Sequence, residues 1–211
     1  MDATIGTLLQ KKCRVAAERN TPKNIERRAA FLKEIAAISV DKLCFLDESG
    51  FSLNLYRSYG WSAKSERCYQ YVPFNRGTNR SVIGAFTLSG MVACQSLLGA
   101  VRRDRFESFL RHHVLPAVVP GTVLVLDNAR IHHGGDIKEI VSAFGCSVLY
   151  LPPYSPDFSP IELAWSYVKH IVRGVGPRED HLREEAIERA VALIPISHAI
   201  AWFRKCGYDQ S

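Results

Sequence analysis

Two apolar runs, Leu43-Cys44-Phe45-Leu46 and Val123-Leu124-Val125-Leu126, each end on an aspartate, Asp47 and Asp127. Neither run alternates with polar residues. A strand that is apolar on both faces must be covered on both, which places it in the centre of a mixed or parallel sheet. Successive strand side chains point to opposite faces, so Asp47 and its neighbour Glu48 cannot serve one site if both are in the strand. A third run, Val148-Leu149-Tyr150-Leu151, is stopped by Pro152-Pro153, neither of which can donate to a ladder.

The segments around these runs read mainly as helices and one hairpin. Residues 79–87 and 91–98, with Ser89-Gly90 between them, predict two antiparallel strands. Gly60-Trp61-Ser62 and residues 68–72 are expected to supply another strand or part of one. A helix is expected from Asp104 to Val114, with Asp104 as cap and Glu107 three residues on. Another carries Ile137, Ile140, Val141 and Phe144 on one face and stops at Gly145. Near the end, Leu182, Ile187, Ala190, Val191 and Ile194 mark an amphipathic helix over 179–194. A short last helix carries Ile200, Trp202 and Phe203. Residues 4–12 read as the last turns of a helix. Pro22 then starts a charged helix with a modest stripe of Phe31, Leu32, Ile35 and Ile38.

The stretch from Pro152 to Trp165 repeats proline at a short interval and then opens a helix, with Ser159 as N-cap and Pro160 at the first position. Ile161, Ala164, Trp165, Val168, Ile171 and Val172 form its apolar face, and Gly174 is expected to close it. Glu162, Ser166, Lys169 and Arg173 share the polar face. Two readings of Glu162 stay open: a capping box with Ser159, or a metal-binding carboxylate beside the positive end of a helix.

With 211 residues the chain can bury one substantial core. Its net charge of +6 and pI near 9.1 favour a polyanionic partner. Six cysteines, none in a Cys-x-x-Cys pair, read as reduced thiols rather than a disulfide frame or a zinc site. No signal peptide or membrane-length apolar run is seen, so a cytoplasmic location and no membrane partner are expected.

If the two aspartate-ended strands are parallel neighbours, their tips lie roughly 5 Å apart. Bare carboxylates that close repel, and a cation between them relieves the repulsion. Oxygen ligands favour Mg²⁺ or Mn²⁺ over zinc, and a third carboxylate allows two ions about 3.5–4 Å apart, the arrangement for in-line phosphoryl transfer. An aspartyl-phosphate hydrolase needs a second aspartate two residues after the first, where Ser49 stands.

Asp47-Glu48-Ser49-Gly50, Asp127-Asn128-Ala129 with His132, and Pro152-Pro153-Tyr154-Ser155-Pro156 through Pro160-Ile161-Glu162 resemble the mariner-like DDE transposases, in their bacterial insertion-sequence branch. The interval of 34 residues between Asp127 and Glu162 is similar to that of the family. The likeness extends to Gly60-Trp61, Ile83-Gly84-Ala85 and Trp202-Phe203-Arg204. It implies an α/β, ribonuclease-H-like fold, a mixed five-stranded sheet with helices on both faces. It also implies that Asp47, Asp127 and Glu162 hold two Mg²⁺ (or Mn²⁺) ions for DNA strand cleavage and strand transfer. One ion would activate water or a DNA 3′-hydroxyl, and the other would stabilise the leaving oxygen. Ser159 stands where many relatives have Asn, and both cap helices well.

Relatives carry a helix-turn-helix region ahead of the catalytic domain. Here residues 1–40 are expected to be a helical arm, the remnant of that region, and residues 41–211 the catalytic domain with its C-terminal helices. Double-stranded DNA, both transposon ends and target, is the expected partner, with a homodimer and an upstream DNA-binding fragment as further partners. In bacteria such a protein would sit on the nucleoid when bound to DNA. Candidate phosphate contacts are Lys11, Lys12, Arg14, Arg19, Lys23, Arg27 and Arg28 in the arm, with Lys169 and Arg173 beside Glu162. His132 is a candidate for contact with DNA or with a carboxylate. The competing readings are a non-catalytic DNA-binding regulator and a nuclease or integrase of the same fold.

Overall fold

The computed structural model describes residues 16–57, 59–71, 77–134 and 136–208. Within them five strands form one sheet of order β3-β2-β1-β4-β5: β1 (Leu43–Phe51), β2 (Arg80–Thr87), β3 (Gly90–Leu98), β4 (Val123–Leu126) and β5 (Ser147–Tyr150). Strand β1 is antiparallel to β2 and parallel to β4, and β4 is parallel to β5. The two aspartate-ended runs are therefore parallel neighbours at the centre of a mixed sheet.

Strand alternation divides the interior in two. Leu43, Phe45 and Phe51 of β1 enter one core, with side chains of α1 (Pro22–Ile35), α4 (Pro160–Val175), α5 (Asp180–Ala192) and α6 (Ile196–Lys205). Cys44 and Leu46 enter the other, with α2 (Arg103–Phe109) and α3 (Ile137–Ala143). Helices thus cover both faces of the sheet, as uninterrupted apolar strands require.

Several local expectations are corrected. The segment at 60–71 is not a strand; Trp61, Tyr69 and Tyr71 stand exposed. Both edges of β1 are already taken, by β2 and β4, so no ladder is open to it there. Asp104 does not cap α2, which starts one residue earlier at Arg103 and passes into a π-helical turn, Leu110–Val114. Helix α4 runs through Gly174 and ends at Gly176, whose φ of 62° is the left-handed cap conformation. In α5, Leu182 is exposed while Arg183 is fully buried. Arg183 donates to the carbonyls of Phe51 (3.0 Å) and Thr78 (2.9 Å), and so grips both ends of the excursion between β1 and β2. Asp180 accepts from Arg183 and from the buried Arg80, which also pairs with Glu184 at 2.7 Å.

Candidate active site

Asp47 lies in β1 on the same face as Phe45, directly across from Gly84 in β2. That glycine has a packing reason: a Cβ there would meet Trp165 Cη2 at 2.7 Å. Trp165, 2% exposed, can therefore pack closely against the sheet beside Asp47. It is the fifth residue after Pro160 and fixes the first turns of α4, with Glu162 one turn nearer the start. Ser159 makes no side-chain cap bond, so the capping-box reading of Glu162 is not realised. Asp127 follows the last residue of β4, and its Oδ1 accepts the Ala129 amide at 2.9 Å in an Asx turn.

Asp47, Asp127 and Glu162 line one cavity of about 410 Å³, together with Asn128, Ser159 and the 151–156 segment. Three elements of different kinds supply the three acids: a strand, a strand-to-loop junction and a helix start. Asn128 donates to the Leu151 carbonyl and so joins the ends of β4 and β5 at the cavity floor. On the wall, Tyr154 has φ 58°, a left-handed conformation that costs a non-glycine residue energy.

Electrostatically the cavity is short of positive charge. Burial pushes the Asp47 carboxyl up to about 8, and the neighbouring Glu162, Glu48 and Asp127 carboxylates add to the rise. Partial withdrawal from water and the Asp127 charge raise Glu162, against the pull of Lys169. Asp127 behaves differently. Burial would raise it, but His132 and the Ala129 amide outweigh that and hold it below the usual carboxylate range. Among the described residues no three acidic, histidine or cysteine side chains stand at direct coordination spacing. The three acids face a common volume, and their all-oxygen donor set with unbalanced charge fits a hard divalent cation.

His132 is corrected as a DNA contact. It is fully buried, tilted at 42° to the Phe106 ring with centroids 4.4 Å apart, and has Nδ1 2.6 Å from Asp127 Oδ1 and Nε2 3.0 Å from Glu48 Oε1. Ionised carboxylates only accept, so both ring nitrogens donate and the imidazole is charged. Burial works against that charge, but the hydrogen bonds to Asp127 and Glu48 raise the group to about 9. Glu48 does point to the opposite strand face from Asp47, as alternation requires. It nonetheless reaches the site through His132, a link the sequence did not show because 84 positions separate the two residues.

The basic candidates divide. Lys11, Lys12 and Arg14 lie outside the described residues. Lys23 and Arg27 are exposed. Arg19 and Arg28 are not exposed phosphate contacts: both hydrogen-bond Asp157, at 2.8 Å each. Lys169 is half-buried, 5.5 Å from the Phe51 ring centroid, with burial lowering its pKa and Glu162 and Asp47 opposing. Arg173 lies one turn further along α4 and is half-buried.

Residues 42–182 match the DDE superfamily endonuclease family. The chain belongs to this family. The DDE domain is similar to the Tcb2 transposase of Caenorhabditis briggsae, 26% identical over 163 residues that make up 72% of this chain and 60% of that protein. Among solved structures it is similar to the Mos1 transposase in its paired-end complex with the left transposon end, with a TM-score of 0.76, 18% identity, and 94% of this chain and 63% of that one covered. It is also similar to the isolated catalytic domain of Mos1 mariner transposase, with a TM-score of 0.62, 14% identity, and 88% and 89% covered. Mos1 paired-end complexes have been solved with Mg and with Mn. The chain spans about three-fifths of the length of the Tcb2 protein and of the Mos1 chain in the paired-end complex. The mixed five-stranded sheet with helices on both faces is the ribonuclease-H-like fold of the Mos1 catalytic domain, and the chain is a DDE endonuclease domain homologous to these transposases.

Proposed function

We propose that this chain is the catalytic domain of a mariner-like transposase of the bacterial insertion-sequence branch, cutting and joining DNA strands by phosphoryl transfer. Residues 41–211 form the catalytic domain in this reading, with residues 1–40 as the arm that leads into it. The observation that carries the reading is the convergence of Asp47, Asp127 and Glu162 on one cavity in a domain of the DDE family. Those three carboxylates would hold Mg²⁺ or Mn²⁺, two ions in the full site. Bound, such ions neutralise developing phosphoryl charge and lower the pKa of an attacking hydroxyl.

The chain's own residues prepare that site. His132 locks one oxygen of Asp127 and keeps the carboxylate ionised at neutral pH. Lys169 places a positive charge beside Glu162, where a phosphodiester would approach. Arg173 extends the positive charge along α4. The partners in this reading are transposon-end and target DNA, a second copy of the chain and an upstream DNA-binding fragment, in the bacterial cytoplasm and on the nucleoid.

The test is Mg²⁺-dependent nicking of an element-end duplex, with and without an upstream DNA-binding fragment. Asp47→Asn, Asp127→Asn and Glu162→Gln keep shape and remove charge, and each is expected to lower cleavage by about a thousandfold or more while circular dichroism stays unchanged. Undiminished cutting by Glu162→Gln would remove that residue from the reading, with no ready substitute: Asp157, the other acid of this segment, is held by two arginines.

A further inference from the structure

We propose that Arg28 is a positioning residue for the active site, holding from outside the 152–159 wall that carries Glu162 into place. The inference rests on the reading of Glu162 as a metal-binding carboxylate. Arg28 belongs to α1, ahead of the segment that matches the DDE family. Its guanidinium forks onto Asp157, Nη1 donating to Oδ1 at 3.1 Å and Nη2 to Oδ2 at 2.8 Å. Nη1 also donates to Ser155 Oγ at 2.6 Å, and the guanidinium lies 4.0 Å from the Phe158 ring centroid. Phe31, one turn along α1, stacks on the same Phe158 at 5.6 Å. Arg19 adds a second donor to Asp157.

These contacts fall within four residues of one wall, Ser155 to Phe158. Ser155 is buried and lines the cavity beside Asp47 and Glu162. From Asp157 the chain needs only Phe158 and Ser159 to reach Pro160, the first residue of α4, and the Glu162 amide bonds back to the Ser159 carbonyl at 3.2 Å. Tyr208 holds the Phe158 carbonyl at 2.6 Å from the other side. A planar, bidentate guanidinium fixes both distance and angle, which a point charge does not. Movement of α1 is therefore transmitted to the Glu162 carboxylate over a short, proline-stiffened path.

The experiment compares Arg28→Gln, Arg28→Lys and Asp157→Asn with the unchanged chain, by hydrogen–deuterium exchange and by Mn²⁺ titration below the unfolding temperature of every variant. Arg28→Gln is expected to speed exchange across 154–163 about tenfold, with β1 and β4 unaffected, and to weaken Mn²⁺ binding about tenfold, or 1.4 kcal/mol. Arg28→Lys keeps the charge without the fork and is expected to recover only part of both. Asp157→Asn should reproduce the Arg28→Gln pattern, and it decides the matter if Arg28→Gln does not fold. Glu162→Gln is run alongside. Mn²⁺ binding that Glu162→Gln leaves unchanged counts against the metal reading alone, and the exchange data then judge the tether independently. Unchanged exchange over 154–163 in both Arg28→Gln and Asp157→Asn overturns the proposal.

Discussion

Glu48 reaches His132 from β1 and Asp127 from just past the end of β4, and each would face the other's charge without the ring between them. Removing one member of a buried charge set leaves the rest uncompensated, at a cost of about 3–5 kcal/mol for a fully buried pair. Asp127 is half in solvent, so His132→Ala is expected to destabilise the fold by less than that, about 2–3 kcal/mol. The double variant His132→Ala/Glu48→Gln should regain part of the loss, since one of the stranded charges is gone. Urea unfolding in EDTA measures both, and a double variant no more stable than His132→Ala would show that charge is not what the ring balances. At this scale the three acids were legible because each ends or begins an element with a strong sequence signal. The clamp was not. His132 is visible five residues after Asp127, but nothing local says that it is buried or that Glu48 completes it.

Helix α4 carries Glu162 and is fixed against the sheet by Trp165 over Gly84 and, through the wall before it, by α1. The indole cannot yield as a flexible chain end would, so Gly84→Ala is expected to cost about 1–3 kcal/mol by overpacking. That corresponds to a fall in Tm of about 2–4 °C per kcal/mol in a chain of this size. An unshifted melting curve would mean that Trp165 does not lie against β2. The α1 contact has a pH signature. Burial alone would raise Asp157, but Arg28 and Arg19 hold it below the usual carboxylate range. A depressed folded pKa contributes stability that is present above the unfolded value, near 3.9, and is lost as pH falls through the lower folded one. The side chain is 38% exposed, so the contribution is about 1 kcal/mol or less. Asp157→Asn should thus melt slightly below the unchanged chain at pH 7, and the gap should close below about pH 4. A gap that widens in acid would contradict the ion pair. Elements built on unbroken apolar runs were readable, including the parallel pair that brings Asp47 and Asp127 together. The excursion between β1 and β2 was not, because its aromatics imitate a strand while β1 and β2, which it joins, already have neighbours on both sides. Nor was the face of α5, since Arg183 shares the buried face with Ala186, Ile187 and Ala190, its charge met by two carbonyls distant in sequence and by Asp180.

Across the whole molecule, the net charge of +6 is not all available to a polyanion. Arg19 and Arg28 are committed to Asp157, Arg80 and Arg183 to the acids of α5, and Lys169 faces the site's own carboxylates. Sequence-specific readout requires an element seated in a DNA groove with side chains at base edges, whereas phosphate contacts carry no sequence information. Binding by this chain alone is therefore expected to be weak and sequence-tolerant, with Kd of order 10⁻⁴–10⁻⁶ M at physiological salt and a steep loss as salt rises. Each phosphate contact contributes about −0.9 to the slope of log K against log salt. Replacing a committed arginine and a less committed one should then give different results. Arg19→Gln is expected to leave the slope unchanged, and Arg173→Gln to make it shallower by about 0.9. Titrations of element-end and scrambled duplexes at several salt concentrations measure this directly. A slope that falls with Arg19→Gln would show that DNA draws Arg19 off Asp157. A preference of a hundredfold or more for the element end, about 2.7 kcal/mol, would show that the chain reads sequence by itself, in conflict with phosphate-driven binding.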